Sequence, residues 1–140
     1  MATTHGLELL RRLKLFEPRD GMWANLSMRL TQADASSSVL EGSFSLEAHG
    51  RAGDIHRGAV AAIADGATAC AAATLAAEGE IATTVELVLD FFRPAGPGRA
   101  LARGTVLHRT GHLVYCAAVV EQGGVVVAEA HATIALVRPA

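Results

Sequence analysis

The stretch Ile55-His56-Arg57-Gly58-Ala59-Val60-Ala61-Ala62-Ile63-Ala64-Asp65-Gly66 decides the fold. A His-x-Gly turn opens a run of small apolar residues that continues to residue 77. Alanine has the best intrinsic helix propensity, so the run predicts a helix over about 57–77 that stops at Gly79. Short side chains let a curved sheet approach such a helix from all round. Asp65 stands in its middle. Its neighbours three and four residues away are Ala61, Ala62, Thr68 and Ala69, so no basic partner shares its face. A carboxylate on an apolar helix costs free energy unless something distant uses it. Asp65 is therefore a candidate for chemistry.

An apolar stretch over residues 58–77 is long enough to span a bilayer. Most of it is Ala and Gly, which contribute little insertion energy. An Asp at the centre of a span costs about 2.5–3.5 kcal/mol. Strand-like sequence also follows at once. The stretch reads as a buried core helix, and no membrane partner is expected.

Working outward, the loop 48–56 carries Gly50 and Gly53 and feeds the helix. Before it, residues 23–32 and 38–47 read as two strands around the turn-rich Asp34-Ala35-Ser36-Ser37-Ser38. Residues 6–15 predict an amphipathic helix with Leu7, Leu10 and Leu13 on one face. Pro18 and Gly21 close this N-terminal helical segment, residues 1–20. After the helix come four strand candidates, 80–92, 99–109, 112–122 and 124–137. The links Pro94–Gly98, Thr110-Gly111 and Gln122-Gly123-Gly124 are short, which predicts antiparallel neighbours in sequence order. The expected fold class is α+β: a curved antiparallel sheet of about six strands wrapped around one long central helix. The 140 residues fit a single domain, 1–140.

The formal net charge of -2 gives no basic footprint for nucleic acid. Cys70 and Cys116 fall on a predicted helix and a predicted strand, without metal-ligand spacing. They read as reduced core thiols of a cytoplasmic protein. His5, His49, His108, His112 and His131 are scattered, so no metal site is expected. No Gly-rich phosphate loop follows a strand.

The arrangement resembles the hotdog fold, and the motifs are similar to those of the small PaaI-like acyl-CoA thioesterases of the phenylacetate pathway. That family has a Gly shortly before a His-Gly-Gly turn and an acidic residue nine positions after the His. Here these are Gly53, His56-Arg57-Gly58 and Asp65. Its third strand ends in an aromatic or Leu followed by Arg-Pro-Ala, matched by Phe91-Phe92-Arg93-Pro94-Ala95. Its His-Arg-x-Gly turn and final Ala-rich strand are matched by His108-Arg109-Thr110-Gly111 and Val127-Ala128-Glu129-Ala130-His131-Ala132-Thr133. The chain departs from the pattern at two places. Arg57 replaces the second turn glycine, and Gly50 stands where some members carry an active-site Asn.

The resemblance implies hydrolysis of an acyl-CoA thioester, with CoA as part of the substrate and no separate cofactor. The carbonyl oxygen must be stabilised as it becomes an oxyanion. A water must be activated, or a carboxylate must attack. The N-terminus of the central helix offers unpaired N–H groups, so those of Arg57 and Gly58 are the candidate oxyanion donors. Asp65 is the candidate base or nucleophile. Residues 57 and 65 are about 12 Å apart along the helix axis. Both cannot serve one carbonyl, because each must come within about 3–3.5 Å of the reacting atoms. Two chains must therefore share each site, which predicts a homodimer or a dimer of two such dimers.

Other residues are weaker candidates. His56 either contacts the substrate carbonyl or fastens the loop at the helix start. The resemblance places Thr84 where some relatives carry a Ser that orients the attacking water. Arg93 and Arg109 are candidates for CoA phosphates, although an exposed Arg at a strand end is commonly just solvated. Two other functions compete with hydrolysis. A hotdog hydratase or dehydratase would use a loop His with an acidic partner or an Asp-x4-His pair, and this chain has no Asp-x4-His. A non-catalytic acyl-CoA binding module is the other alternative.

Overall fold

A computed structural model describes residues 2–140. In chain order the elements are α1 (Thr4–Arg12), α2 (Gly21–Asn25), β1 (Met28–Asp34), β2 (Ser37–Phe44), α3 (Leu46–His49), β3 (Gly50–Arg51), β4 (Asp54–Ile55), α4 (Arg57–Ala73), β5 (Ile81–Phe91), β6 (Gly98–Thr110), β7 (Leu113–Gln122) and β8 (Val125–Val137). Six strands form one antiparallel sheet in the order β1-β2-β6-β7-β8-β5. The sheet curves around α4, as the alanine content predicts. Ile63, Ala64, Ala67, Ala71 and Ala72 are fully enclosed. Leu30, Leu40, Val114, Val120, Ile134 and Leu136 meet them from the sheet. Each such branched side chain contributes about 1.5–3 kcal/mol on burial.

Two close approaches set the seat of α4. A Cβ at Gly104 would collide with the carbonyl oxygen of Ala67, so only glycine lets β6 lie against the helix there. Beside it, the buried Ser38 donates its hydroxyl to that same oxygen at 2.7 Å. A Cβ at Gly6 would lie 2.5 Å from the Ala73 oxygen, so α1 crosses the end of α4 at bare backbone. Thr3 then donates its backbone N–H to the Thr74 oxygen at 2.8 Å and its hydroxyl to Ala76 O. These donors satisfy carbonyls that a helix C-terminus otherwise leaves unpaired.

Four expectations about elements are corrected. Residues 46–47, expected in the second strand, open the short helix α3 instead, whose N-cap Ser45 accepts the Ala48 N–H at 3.1 Å. Residues 23–27 are not strand. Gly21–Asn25 form a helical turn, and Ser27 takes a positive φ of 54° that reverses the chain before β1. The central helix ends at Ala73, not near 77. Thr74 bonds its hydroxyl back to the Ala71 oxygen at 2.7 Å, and Leu75 and Ala76 continue in tighter three-residue steps. Gly79, at φ 77°, serves the following turn instead. Lastly, β5 pairs with β8, not with β6. Pro94 and Pro97 deny the link a tight hairpin. It crosses the sheet end, with the N–H groups of Phe92 and Arg93 donating to Val127 O at 2.9 and 3.4 Å.

No helix is long and apolar enough to cross a membrane among the described residues. Cys70 and Cys116 are free and buried.

Candidate active site

The start of α4 is presented by a short hairpin. Strands β3 and β4 turn through Ala52 and Gly53, at φ 51° and 89°, a two-residue mirror-image turn that suits strand twist. His56 then takes an extended conformation, φ -59° and ψ 134°, at the N-cap. Its ring Nδ1 accepts the Gly58 N–H at 2.7 Å, and its carbonyl accepts the Ala59 N–H at 2.9 Å. An Nδ1 that accepts is unprotonated, so the proton of the neutral ring sits on Nε2. The Arg57 N–H finds no acceptor among the described residues. The helix start faces a cleft of about 320 Å³ bordered by Arg51, Asp54, His56 and Arg57. The Arg57 guanidinium lies over the Phe91 ring, 5.8 Å from its centroid. This is a cation–π contact worth about 0.5–1 kcal/mol at exposed sites.

Asp65 sits two turns further along. Its Oδ1 accepts the Thr84 hydroxyl at 2.7 Å. The register of β5 against β8 slips between Thr84 and Glu86, leaving Val85 as a bulge residue beside Thr84. Bulges of this kind re-aim a neighbouring side chain. Asp65 also lies in the wall of an apolar cavity of about 430 Å³ between α4, the start of β5 and the N-terminal helices. Gly66 explains how the cover comes so close: a Cβ there would lie 2.7 Å from Leu40 Cδ2 and 3.1 Å from Trp23 Cζ2.

The sequence candidates thus fall into separate groups. His56, Arg57 and Gly58 gather at the helix start, and Asp65 and Thr84 gather about 12 Å along the axis. Gly58's N–H, expected to be a free donor, is occupied by His56. Arg93 is exposed at the end of β5. Arg109 lies at the opposite end of α4 from Arg57, donating to Gly111 O at 3.0 Å and Leu75 O at 3.3 Å. Gly50 has a local cause, because any Cβ there would strike the Leu46 carbonyl. An Asn therefore does not fit this backbone. His49 fastens the scaffold: its Nδ1 accepts the Ser45 N–H at 3.0 Å and its Nε2 faces Asn25 O at 2.9 Å.

Sequence reasoning left Trp23 and Met22 unassigned, yet both border the cavity that holds Asp65. Gly66 was the available signal. Glycine inside a helix costs about 1 kcal/mol relative to Ala, so one in an Ala-rich helix marks a close approach. No group of three or more His, Cys, Asp or Glu able to hold a metal occurs among the described residues.

The sequence model of the thioesterase superfamily matches residues 52–131, and the chain belongs to that family. Within it the fold is the hotdog fold of the PaaI-like proteins. PaaI from the phenylacetic acid degradation operon of E. coli shares 17% identity over 98% of this chain and 96% of its own, with a TM-score of 0.83. A thioesterase family protein from Silicibacter pomeroyi shares 22% over 96% and 99%, at 0.84. A point mutant of the phenylacetic acid degradation protein PaaI from Thermus thermophilus shares 25% over 84% and 100%, at 0.75. None of the curated proteins matches the chain.

Proposed function

We propose that this thioesterase hydrolyses acyl-CoA thioesters to a free acid and CoA, at sites shared between two copies of the chain. The observation that carries the reading is Asp65: a carboxylate in the wall of an apolar cavity, oriented by one hydroxyl at 2.7 Å. One chain supplies Asp65 and Thr84. The other supplies the N-terminus of α4. Its free Arg57 N–H is the first oxyanion donor, aided by the positive end of the helix dipole. The Gly58 N–H is engaged, so the His56 Nε2–H is the second.

In the general-base route, Asp65 takes a proton from water and the hydroxide adds to the thioester carbon. Thr84 spends its own proton on Asp65, and its oxygen lone pairs remain to orient that water. The tetrahedral oxyanion collapses, the C–S bond breaks, and the CoA thiolate leaves and is protonated. In the nucleophilic route, Asp65 itself attacks and expels the thiolate. The resulting anhydride is then opened by water, which restores the carboxylate. Both routes need the carboxylate ionised and neither needs a metal or a separate cofactor. The buried reduced thiols fit a cytoplasmic setting.

The test is release of free thiol from a panel of acyl-CoAs, by wild type and by Asp65→Asn. Thiol release that the variant loses supports the reading. Binding of a non-hydrolysable acyl-CoA without thiol release would instead indicate a binding module. Loss of the enoyl absorbance of crotonyl-CoA would indicate a hydratase.

A further inference from the structure

We infer that the N-terminal segment is the specificity element of this enzyme: it roofs a chamber that admits uncharged acyl groups and rejects acyl groups ending in a carboxylate. The inference rests on the thioesterase reading and deepens it. The chamber floor is one face of α4, where Ala62, Gly66, Ala69 and Ala73 follow helical spacing beside Asp65. The roof is built by α1 and α2. The α1 part is anchored through Thr3 and Gly6 onto the end of α4. The α2 part buries none of its residues completely, although Trp23 packs against the core.

Three observations point to an apolar occupant. The cavity, about 430 Å³, is well above the roughly 150 Å³ that holds a benzene ring. An acyl group of at least six carbons has room. Leu13 and Met22 on its rim are 54% and 68% exposed, large apolar side chains left in water beside an apolar cavity. Among the described residues that line it, Asp65 is the only charged one. A carboxylate on the acyl tail would give up its water among apolar side chains, with no cation of this chain lining the cavity to receive it. The Trp23 ring lies against the bare backbone of Gly66, next to Asp65, and forms one wall of the chamber.

The experiment compares kcat/KM for acetyl-, hexanoyl- and adipoyl-CoA. Each buried CH2 contributes roughly fourfold, so hexanoyl-CoA should exceed acetyl-CoA by about 10²-fold. Adipoyl-CoA, equal in length to hexanoyl-CoA but anionic at its end, should fall at least tenfold below it. Ala69→Phe fills the chamber and Trp23→Ala removes its wall. Each should cut the hexanoyl-to-acetyl ratio at least tenfold, and using both protects the test against misfolding of either. An unchanged ratio in a folded variant, or equal use of adipoyl- and hexanoyl-CoA, would overturn the inference. If wild type hydrolyses none of the three, the chamber is judged by binding alone, and the acyl-CoA hydrolysis reading falls only if the wider panel also releases no thiol. S-hexyl-CoA binding at least tenfold tighter than S-ethyl-CoA then supports the chamber, and equal affinities overturn it.

Discussion

Thr84 on β5 donates its hydroxyl to Asp65 on α4 across 2.7 Å, joining the edge strand to the central helix at one carboxylate oxygen. The bond fixes the carboxylate rotamer, and Oδ2, without a hydrogen-bond partner among the described residues, is left for a proton or a carbonyl carbon. Asp65→Asn is nearly isosteric but neither attacks nor accepts a proton. Its kcat should fall by at least about 10²-fold, the lower end of general-base contributions. Thr84→Val keeps the shape and loses the donor, so a fall of about tenfold is expected, mainly in kcat, from one misdirected hydrogen bond. Thr84→Ser should restore most of it. Steady-state kinetics on the best acyl-CoA check both. Full turnover in Asp65→Asn would remove this residue from the mechanism.

The helix start allows a cleaner deletion of a donor than replacing Gly58, whose N–H is already bound to His56. Proline is favoured at the first helical position, where the missing N–H has no intrahelical partner in any case. It also requires an extended residue before it, and His56 at φ -59° and ψ 134° supplies one. Arg57→Pro should therefore fold and lose turnover by about 10²-fold or more, the scale of one oxyanion donor. Arg57→Ala keeps the N–H and should stay within a few-fold. Mixing Arg57→Pro with Asp65→Asn should regenerate activity in mixed dimers, because one of the two sites then holds both intact halves. Two folded variants that exchange subunits and remain inactive together would count against a shared site.

Gly104 tests the seat of α4. Gly104→Ala forces its methyl onto the Ala67 carbonyl and disturbs the Ser38 bond. Overpacking of about 1–3 kcal/mol plus a hydrogen bond of about 1 kcal/mol predicts a loss of about 2–4 kcal/mol. Gly96→Ala is the matched control, since a Cβ there meets nothing within 4 Å. It should be neutral or slightly stabilising. Urea unfolding of the two variants reads the difference directly, and equal midpoints would refute the packing argument.

The fold was legible where composition and period agreed. The Ala run from 57 onward and the late strand candidates divided by short turns predict a helix inside a curved antiparallel sheet, and that sheet is present. Strand order was not legible, because link length alone suggested that β5 neighbours β6. The prolines of that link argued against a tight hairpin, but β8's capacity to pair with both β7 and β5 is a tertiary matter. At the site, Asp65 was legible as an unpartnered carboxylate on an apolar helix. The engagement of Gly58 by His56 was not, since a ring rotamer decides it. Nor was the chamber, whose roof comes from residues about 40 to 60 positions earlier in the chain.

The two cysteines give a prediction whose sign can be worked through. Burial pushes both thiols up from the ordinary 9.0 to about 12, and the Asp65 carboxylate adds to the effect at Cys70. Both side chains are almost wholly enclosed, Cys70 at 2% and Cys116 at 1% exposure. The thiolate is the reactive form, so neither cysteine should react with a disulfide reagent at pH 8 in the native protein, and both should react on unfolding. The unfolded state ionises its thiols from about pH 9, while the folded state holds its protons to about pH 12. Above pH 9 the unfolded state therefore binds fewer protons than the folded one, and stability falls as pH rises. The thiol contribution is fully present below pH 9 and is lost progressively as pH climbs through 12. Urea unfolding at pH 8, 9, 10 and 11 should show this decline approaching a slope of two protons. A Cys70→Ala, Cys116→Ala double variant should lose that part of the slope while remaining less stable at pH 8 from the cavities left behind. A wild-type slope identical to that of the double variant would show that the thiols do not carry the alkaline loss.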